Sequence, residues 1–250
     1  QEGPQYVQEL IGLGAQFDKS GEGFDLAREG AHSYHRVLHA GDQTGHEIEK
    51  TLGRHVMRCD WVTFYEQTMV YELVVHNDRC IGCLALVDGE CVFFQTRHLV
   101  LATGGAARVY SRNTVPRVAT GDGVALGYLA GAAVCDLEFF QFHPTAFYQS
   151  GQKDRTFLIS EAVRGAGATL CRSDGTSFMQ DYHQLGDLAP RDVVARGIFE
   201  ESKRLGMDSM FLDFSKVTGS LKQRFPTIYQ KCLNEGFCLD DDLLPVSPAA

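Results

Sequence analysis

Residues 98–132 read HLVLATGGAARVYSRNTVPRVATGDGVALGYLAGA. The stretch opens on a short apolar run, 98–102, of the kind that builds strands, and the run ends in Thr103-Gly104-Gly105. Glycines at the C-terminal end of a strand let a backbone come close to a ligand, at the edge where α/β sheets bind cofactors. A second cluster, Thr120-Gly121-Asp122-Gly123, leads straight into a helical stretch over 124–130 with small residues at Ala125, Gly127 and Ala130. Free N–H groups at a helix start can hold a phosphate or a polarised ring carbonyl, and an acidic side chain there can accept from a ribose or ribityl hydroxyl. The competing reading is an ordinary Gly-rich turn with Asp122 as a cap.

Working outward, 61–102 has a β pattern: WVTFYE, VYELVV, CIGCLALV, CVFFQ and HLVLA are short runs rich in β-branched and aromatic residues, with Asn77-Asp78 and Asp88-Gly89 as turns. Four or five consecutive strands in a meander are expected. Upstream, 7–13 has helical spacing, 17–30 is rich in Gly, Asp and Ser and reads as loop, and Asp42 or Thr44 can cap a helix running to about 56. A loop that long is commonly functional, and this one leads into Arg28-Glu29-Gly30-Ala31-His32-Ser33. Beyond Glu138 the pattern changes to helical stretches around 157–164 and 190–205 with a short apolar strand at 210–213. The fold class expected is therefore α+β / α/β in two parts: a Rossmann-like cofactor domain with a β-meander over 1–136, and an α+β domain over 137–250.

The chain has 250 residues, 44% of them hydrophobic, with 23 Lys+Arg against 32 Asp+Glu and a net charge of −9. That composition excludes disorder, and scattered basic residues leave no footprint for nucleic acid or an anionic bilayer. The longest apolar runs, such as 83–87 and 98–102, fall far below the roughly 20 residues that cross a bilayer. No membrane partner is expected, and without a signal pattern a cytoplasmic location is. Eight cysteines at 59, 80, 83, 91, 135, 171, 232 and 238 are too few for a disulfide scaffold of this length. Cys80-Ile81-Gly82-Cys83 has the spacing of half a metal site, with His76, Cys91 or His98 as further ligands; the hairpin context favours simple packing, so no metal is expected.

Three constellations carry chemistry. In Gln141-Phe142-His143-Pro144-Thr145, an amide and an imidazole stand beside a proline that restrains His143 towards extended backbone. A histidine there can donate to a carboxylate, or be a satisfied structural residue. Arg191 follows Pro190 at a helix start, where a cation opposes the helix dipole. It either binds a dicarboxylate or delivers a proton, or it forms a solvent ion pair with Asp187 or Asp192. Ser160-Glu161 places a hydroxyl and a carboxylate three residues before Arg164, which shares a helical face with Glu161. No Ser-His-Asp order, Walker loop or HExxH occurs, so hydrolytic and phosphoryl-transfer chemistry lack a motif.

Taken in order, AREGAHSYHRVLHAGDQTGHEIEKTL (27–52), VLATGGAARVYSRNTVPRVATGDGVALGYLAGA (100–132), LEFFQFHPTAF (137–147) and LAPRDVVARGI (188–198) resemble the flavoprotein family of L-aspartate oxidase and the flavin subunits of succinate dehydrogenase and fumarate reductase. The Arg-Glu-Gly-x-His-Ser segment resembles the aspartate oxidase branch. The resemblance implies FAD as cofactor, contacted by Asp122 and Gly121 and by Ala102, Thr103, Gly104 and Gly105. It implies that Arg191 is the catalytic proton donor or acceptor and that Gln141 and His143 bind substrate carboxylate. Ser160 and Glu161 match a Thr-Glu pair that contacts substrate, and Glu29 matches the glutamate that faces the ammonium of an amino-dicarboxylate. A carboxylate so placed pairs with an ammonium and repels a plain dicarboxylate.

The implied reaction is oxidation of L-aspartate to iminoaspartate by hydride transfer to flavin, with electrons passed to oxygen or fumarate. This is the first step of NAD biosynthesis, with quinolinate synthase as a pathway partner. The alternatives are a fumarate reductase or succinate dehydrogenase flavoprotein, or a catalytically silent fragment. The chain departs from the family in beginning after the GxGxxG loop, in stopping before a further substrate-binding histidine and a later arginine, and in having Ala166 where a glutamate is usual. It therefore resembles a fragment: the back of the FAD-binding domain with most of the capping domain.

Overall fold

The computed structural model describes residues 2–29, 32–151 and 155–250; Gly30 and Ala31 of the REGAHS segment lie outside the described residues. The N-terminal part forms helix α1 (Gly3–Gly12), two minimal hairpins made of β1 (Lys19–Ser20) with β2 (Gly23–Phe24) and β3 (Leu26–Ala27) with β4 (Val37–Leu38), and helix α2 (Thr44–Val56). A three-stranded antiparallel meander follows, β5 (Met69–His76), β6 (Arg79–Val87) and β7 (Glu90–Gln95). Its turns are those expected, with Asn77, Asp78, Asp88 and Gly89 all at positive φ, as tight hairpins require. Helix α3 (Asp122–Leu129) and strand β8 (His143–Phe147) come next, then α4 (Ala162–Gly165), β9 (Thr169–Cys171) and α5 (Arg191–Leu205). The chain finishes with β10 (Met210–Asp213), α6 (Leu221–Arg224), α7 (Pro226–Asn234) and β11 (Leu244–Ala249). The mixed α/β class is as expected, expressed as several small sheets.

Contacts sort the described residues into two units. One comprises 2–60, 142–151 and 156–249; the other comprises 61–141 with Arg155 and Ala250. Thus 2–60, placed by the sequence with the cofactor domain, group by contact with the later segment.

Local expectations fail at four places. The run 61–66 forms no strand, and Trp61 stands 84% exposed. The run 98–102 forms no strand and pairs with none among the described residues, leaving Val100 86% exposed. β-prone residues make strands only where a neighbour completes the ladder. At 157–159 the expected helix is instead a ladder: the Phe157 carbonyl accepts from the Phe147 N–H and the Ile159 N–H donates to the Thr145 carbonyl, and only 162–165 is helical. Asp42 does not cap α2. Its carboxylate accepts from the N–H groups of Thr227 and Ile228 at 2.9 and 3.0 Å, capping α7 instead.

The first unit is built on the antiparallel sheet β8–β11–β10–β9, against which α5 packs. Its core includes Phe147, Leu170, Ile198, Leu212 and Leu244, each 0–1% exposed. The eight cysteines are free; Cys83 is buried in the meander, Cys80 Sγ donates to the Gly82 carbonyl at 3.4 Å, and no metal-holding group of His, Cys, Asp or Glu is found among the described residues. No helix of the described residues is long and apolar enough to cross a membrane.

The far end of α5 is pinned by one buried carboxylate. Glu201, 2% exposed, accepts from Arg172 Nε at 2.5 Å, from the Tyr182 hydroxyl at 3.0 Å and from Arg204. Arg204, then Arg172 and Tyr182, hold its carboxyl at about 2, below the ordinary 4.5 and against the upward push of burial. A carboxyl depressed on folding stabilises the protein above its ordinary value and ceases to as pH falls through its folded value. Glu201→Gln is therefore expected to cost about 1–3 kcal/mol at neutral pH in urea unfolding, the gap from the parent narrowing between pH 4.5 and 2. A gap independent of pH would mean that charge is not what anchors the helix.

Candidate functional site

Helix α5 begins at Arg191, because Pro190 (φ −53°, ψ 148°) is extended and cannot donate into a preceding helix. From this first turn the guanidinium meets two carboxylates. Its Nε donates to Glu161 Oε2, and its Nη2 lies 3.8 Å from Glu29 Oε2. Neither Asp187 nor Asp192 takes the place of these partners: Asp192 pairs with Arg196 at 2.7 Å, and Asp187 Oδ1 accepts from the Leu170 N–H at 2.8 Å. The pairing with Asp187 or Asp192 is thereby replaced by one with Glu161, which is buried, and Glu29, which is not.

Glu161 sits at the start of α4, its side chain 5% exposed, and it also faces Arg164 Nη2 at 3.8 Å. Arg164 has a side chain 0% exposed. Its Nη1 donates to the Asp187 carbonyl at 2.5 Å, while Nε and Nη2 have no hydrogen-bond partner among the described residues. Burial pulls this guanidinium below its ordinary range, with Glu161 opposing. The result is an alternating row, Glu29, Arg191, Glu161, Arg164, in which charge is compensated within one small volume.

His143 opens β8 and is buried beside this row. Burial, then Arg191 and Arg164, lower its imidazole to about 4. The Thr145 N–H donates to Nδ1 at 3.3 Å, so Nδ1 is the lone-pair nitrogen and the hydrogen resides on Nε2. Ser160, half-buried, accepts from the Ala162 N–H at 3.2 Å and turns the chain into α4. Gln141 is exposed and belongs by contact to the other unit.

In the second unit the two glycine clusters meet. Gly121 (φ +87°) caps α3, and a Cβ there would stand 2.7 Å from Ala106 Cβ; a Cβ on Gly123 would overlap the Thr103 hydroxyl. Only glycine allows this approach. Residues 102–105 are exposed, and nothing lies within 4 Å of a Cβ built on Gly104 or Gly105, so their backbone fronts open space. Asp122 is exposed and accepts from the Thr120 hydroxyl at 2.8 Å. Beside them is a cleft of about 530 Å³ bordered by Ala106, Gly121, Val124 and Phe139.

Two site residues escaped the sequence reading. Arg164 was seen only as a helical partner for Glu161, although a lone arginine inside the apolar context of 162–168 is a signal of a buried charge. Gly165, which abuts the Arg28 carbonyl, gives no local signal, since its neighbour is remote in sequence.

Residues 1–244 match the FAD binding domain family. The chain is 42% identical over 254 residues to an L-aspartate oxidase of Synechocystis sp., covering 99% of this chain and 46% of that protein, and 42% identical to one of Yersinia pestis, covering 98% and 48%. It spans about half the length of these curated relatives. Among solved structures it resembles an E. coli quinol fumarate reductase, with a TM-score of 0.88, 27% identity and coverage of 100% of this chain and 46% of that one. A Mycobacterium smegmatis Sdh1 complex gives a TM-score of 0.71 at 31% identity, over 99% and 44% of the two chains. With glycine clusters that meet at an open backbone and a match over nearly all its length, this chain belongs to the FAD-binding domain family of flavoproteins.

Proposed function

We propose that the chain is the substrate-facing part of an L-aspartate oxidase, which converts L-aspartate to iminoaspartate with FAD. The observation that carries this reading is Glu29 at 3.8 Å from the Arg191 guanidinium. A plain dicarboxylate has no use for a carboxylate at that point, whereas an amino-dicarboxylate presents an ammonium to it. The fold likeness to fumarate reductase supports a second reading, a fumarate or succinate enzyme, which leaves Glu29 without a task.

The residues present suit part of a flavin site. Open backbone at 102–105 allows close approach, the start of α3 at Gly121 offers N–H groups, and Asp122 offers an acceptor for a hydroxyl. When bound, FAD supplies hydride acceptance at its N5 and the onward path of electrons to oxygen or fumarate. The protein's own part is orientation and electrostatics. His143, neutral at working pH, donates to a substrate carboxylate without adding a cation, and Ser160 supplies a further polar contact. Glu29 holds the ammonium. In the fumarate direction Arg191 would deliver a proton to the carbon beside the one that receives hydride, which a guanidinium manages only with an adjacent base, and Glu161 at its Nε is that base; in aspartate oxidation the proton that leaves with the α-carbon hydride comes from the substrate nitrogen.

The same reading assigns 1–136 to part of the FAD-binding domain and 137–250 to the capping domain. It places the enzyme in the cytoplasm at the first step of NAD biosynthesis, upstream of quinolinate synthase.

Three outcomes are expected. The His143 imidazole should titrate by NMR with a midpoint at about 4, staying neutral through pH 5; a midpoint at its ordinary 6.5 would mean solvent reaches it and remove the neutral-donor role. In the full-length, FAD-loaded protein, Glu29→Gln should lower kcat/KM for L-aspartate about 10- to 100-fold, as loss of a charged hydrogen-bond partner does, with fumarate reduction changed less than about threefold. Equal losses with both substrates would favour the fumarate reading. Arg191→Lys should lower fumarate reduction by about 100-fold or more.

A further inference from the structure

Gly165 closes α4, four residues after Glu161, and its backbone lies against the segment that carries Glu29. A Cβ built on Gly165 would overlap the Arg28 carbonyl oxygen and would stand 4.0 Å from the Glu29 Cα. The obstacle is backbone and cannot rotate away as a side-chain tip would. No positive φ applies at Gly165, so glycine is required here for space alone.

The segment it touches is braced from the other side. β3 pairs with β4, and the Arg36 N–H donates to the Ala27 carbonyl at 3.1 Å. Arg28 Nε donates to the His32 carbonyl at 2.7 Å, and the His32 N–H donates to the Glu29 carbonyl at 3.2 Å. With the hairpin behind it and the bonds to His32 ahead of it, the 28–29 backbone takes up any displacement imposed by α4. Glu29 reaches Arg191 only at 3.8 Å, a separation with little margin for retreat.

We propose that Gly165 is a specificity-positioning residue: its missing side chain lets the Arg28–Glu29 backbone seat against α4, which sets the reach of the Glu29 carboxylate toward the ammonium of an amino-dicarboxylate. The inference rests on the substrate reading of Glu29 given above. Glu161 and Arg164 precede Gly165 on the same short helix, so a merely structural disturbance would strike their chemistry with every substrate. Displacement of Glu29 strikes only the aminated one.

The test uses the full-length, FAD-loaded protein and compares L-aspartate oxidation with fumarate reduction. Gly165→Ala should lower the aspartate-to-fumarate ratio of kcat/KM about 10- to 100-fold, the scale of an ångström-sized misplacement, mainly through KM for aspartate. Fumarate reduction should stay within about threefold of the parent. In a Glu29→Gln background the same change should have no further effect on the ratio, because the two act on one contact. Calorimetric binding to the reduced protein under nitrogen, where aspartate does not turn over, should show the same split between L-aspartate and succinate. Should Gly165→Ala fail to fold, Arg28→Ala, at an exposed side chain, releases the turn at His32 and should move the ratio the same way by about 3- to 10-fold.

Equal losses with both substrates, an unchanged ratio, or a full additional effect in the Glu29→Gln background would overturn the proposal. Glu29→Gln leaving the ratio unchanged by itself would instead sink the reading of Glu29 beneath it, and the inference with it.

Discussion

The arrangement of the first unit turns on one buried carboxylate held by two guanidiniums. Glu161, 5% exposed, takes the Arg191 Nε hydrogen bond on one oxygen and faces Arg164 with the other. Removing charge from water is costly, and a buried ion is tolerated only when its partners are fixed in place. Each partner is therefore tied to a different element. Arg164 belongs to the short helix that Glu161 begins and is anchored on the Asp187 carbonyl; Arg191 begins the long helix α5. Glu161 thus joins two helix starts that the sheet β8–β11–β10–β9 supports.

A long helix that presents a functional group at its first residue must be fixed at its far end as well. Glu201 does this with bonds to Arg172 just after β9, to Tyr182 after the turn at Met179–Asp181, and to Arg204 on α5 itself. The two carboxylates act ten residues apart along α5, one at Arg191 and the other as Glu201 itself, and divide the work. Glu201 orients the helix, and Glu161 orients the guanidinium at its tip.

How much of this was legible depends on how local the determinant is. The hairpin turns at Asn77-Asp78 and Asp88-Gly89, the long helix after Pro190 and the strand at 210–213 are written in short-range chemistry and are found where the sequence puts them. Strand β11 was not anticipated, and it contains Pro245 and Pro248, which cannot donate to a ladder. Pro245 lies next to the strand's first residue, and the register shifts between Ser247 and Ala249, around Pro248, so both prolines occupy positions a ladder tolerates. Strands at 61–66 and 98–102 failed for the opposite reason, because propensity was present without a partner. At the site, Glu29, His143, Glu161 and Arg191 could be named from motifs, whereas the reach of Arg191 Nε to Glu161 and the pressure of Gly165 on Arg28 join residues 30 and more apart and have no local signature.

The row of alternating charges is not uniform, and its gradient has chemical meaning. Arg164 has a side chain 0% exposed, Glu161 5%, Glu29 30% and Arg191 37%. Electrostatic attraction grows as water is excluded, so the Glu161 end is committed. The Glu29–Arg191 contact, long and partly wet, belongs to the class of ion pairs that contribute little. A ligand ammonium entering at Glu29 therefore competes with a weak contact and not a strong one, and Arg191 keeps its orientation from Glu161 while the exchange occurs. Under the proposed function, Glu29 can thus exchange Arg191 for a substrate ammonium while Arg191 keeps the orientation that Glu161 gives it.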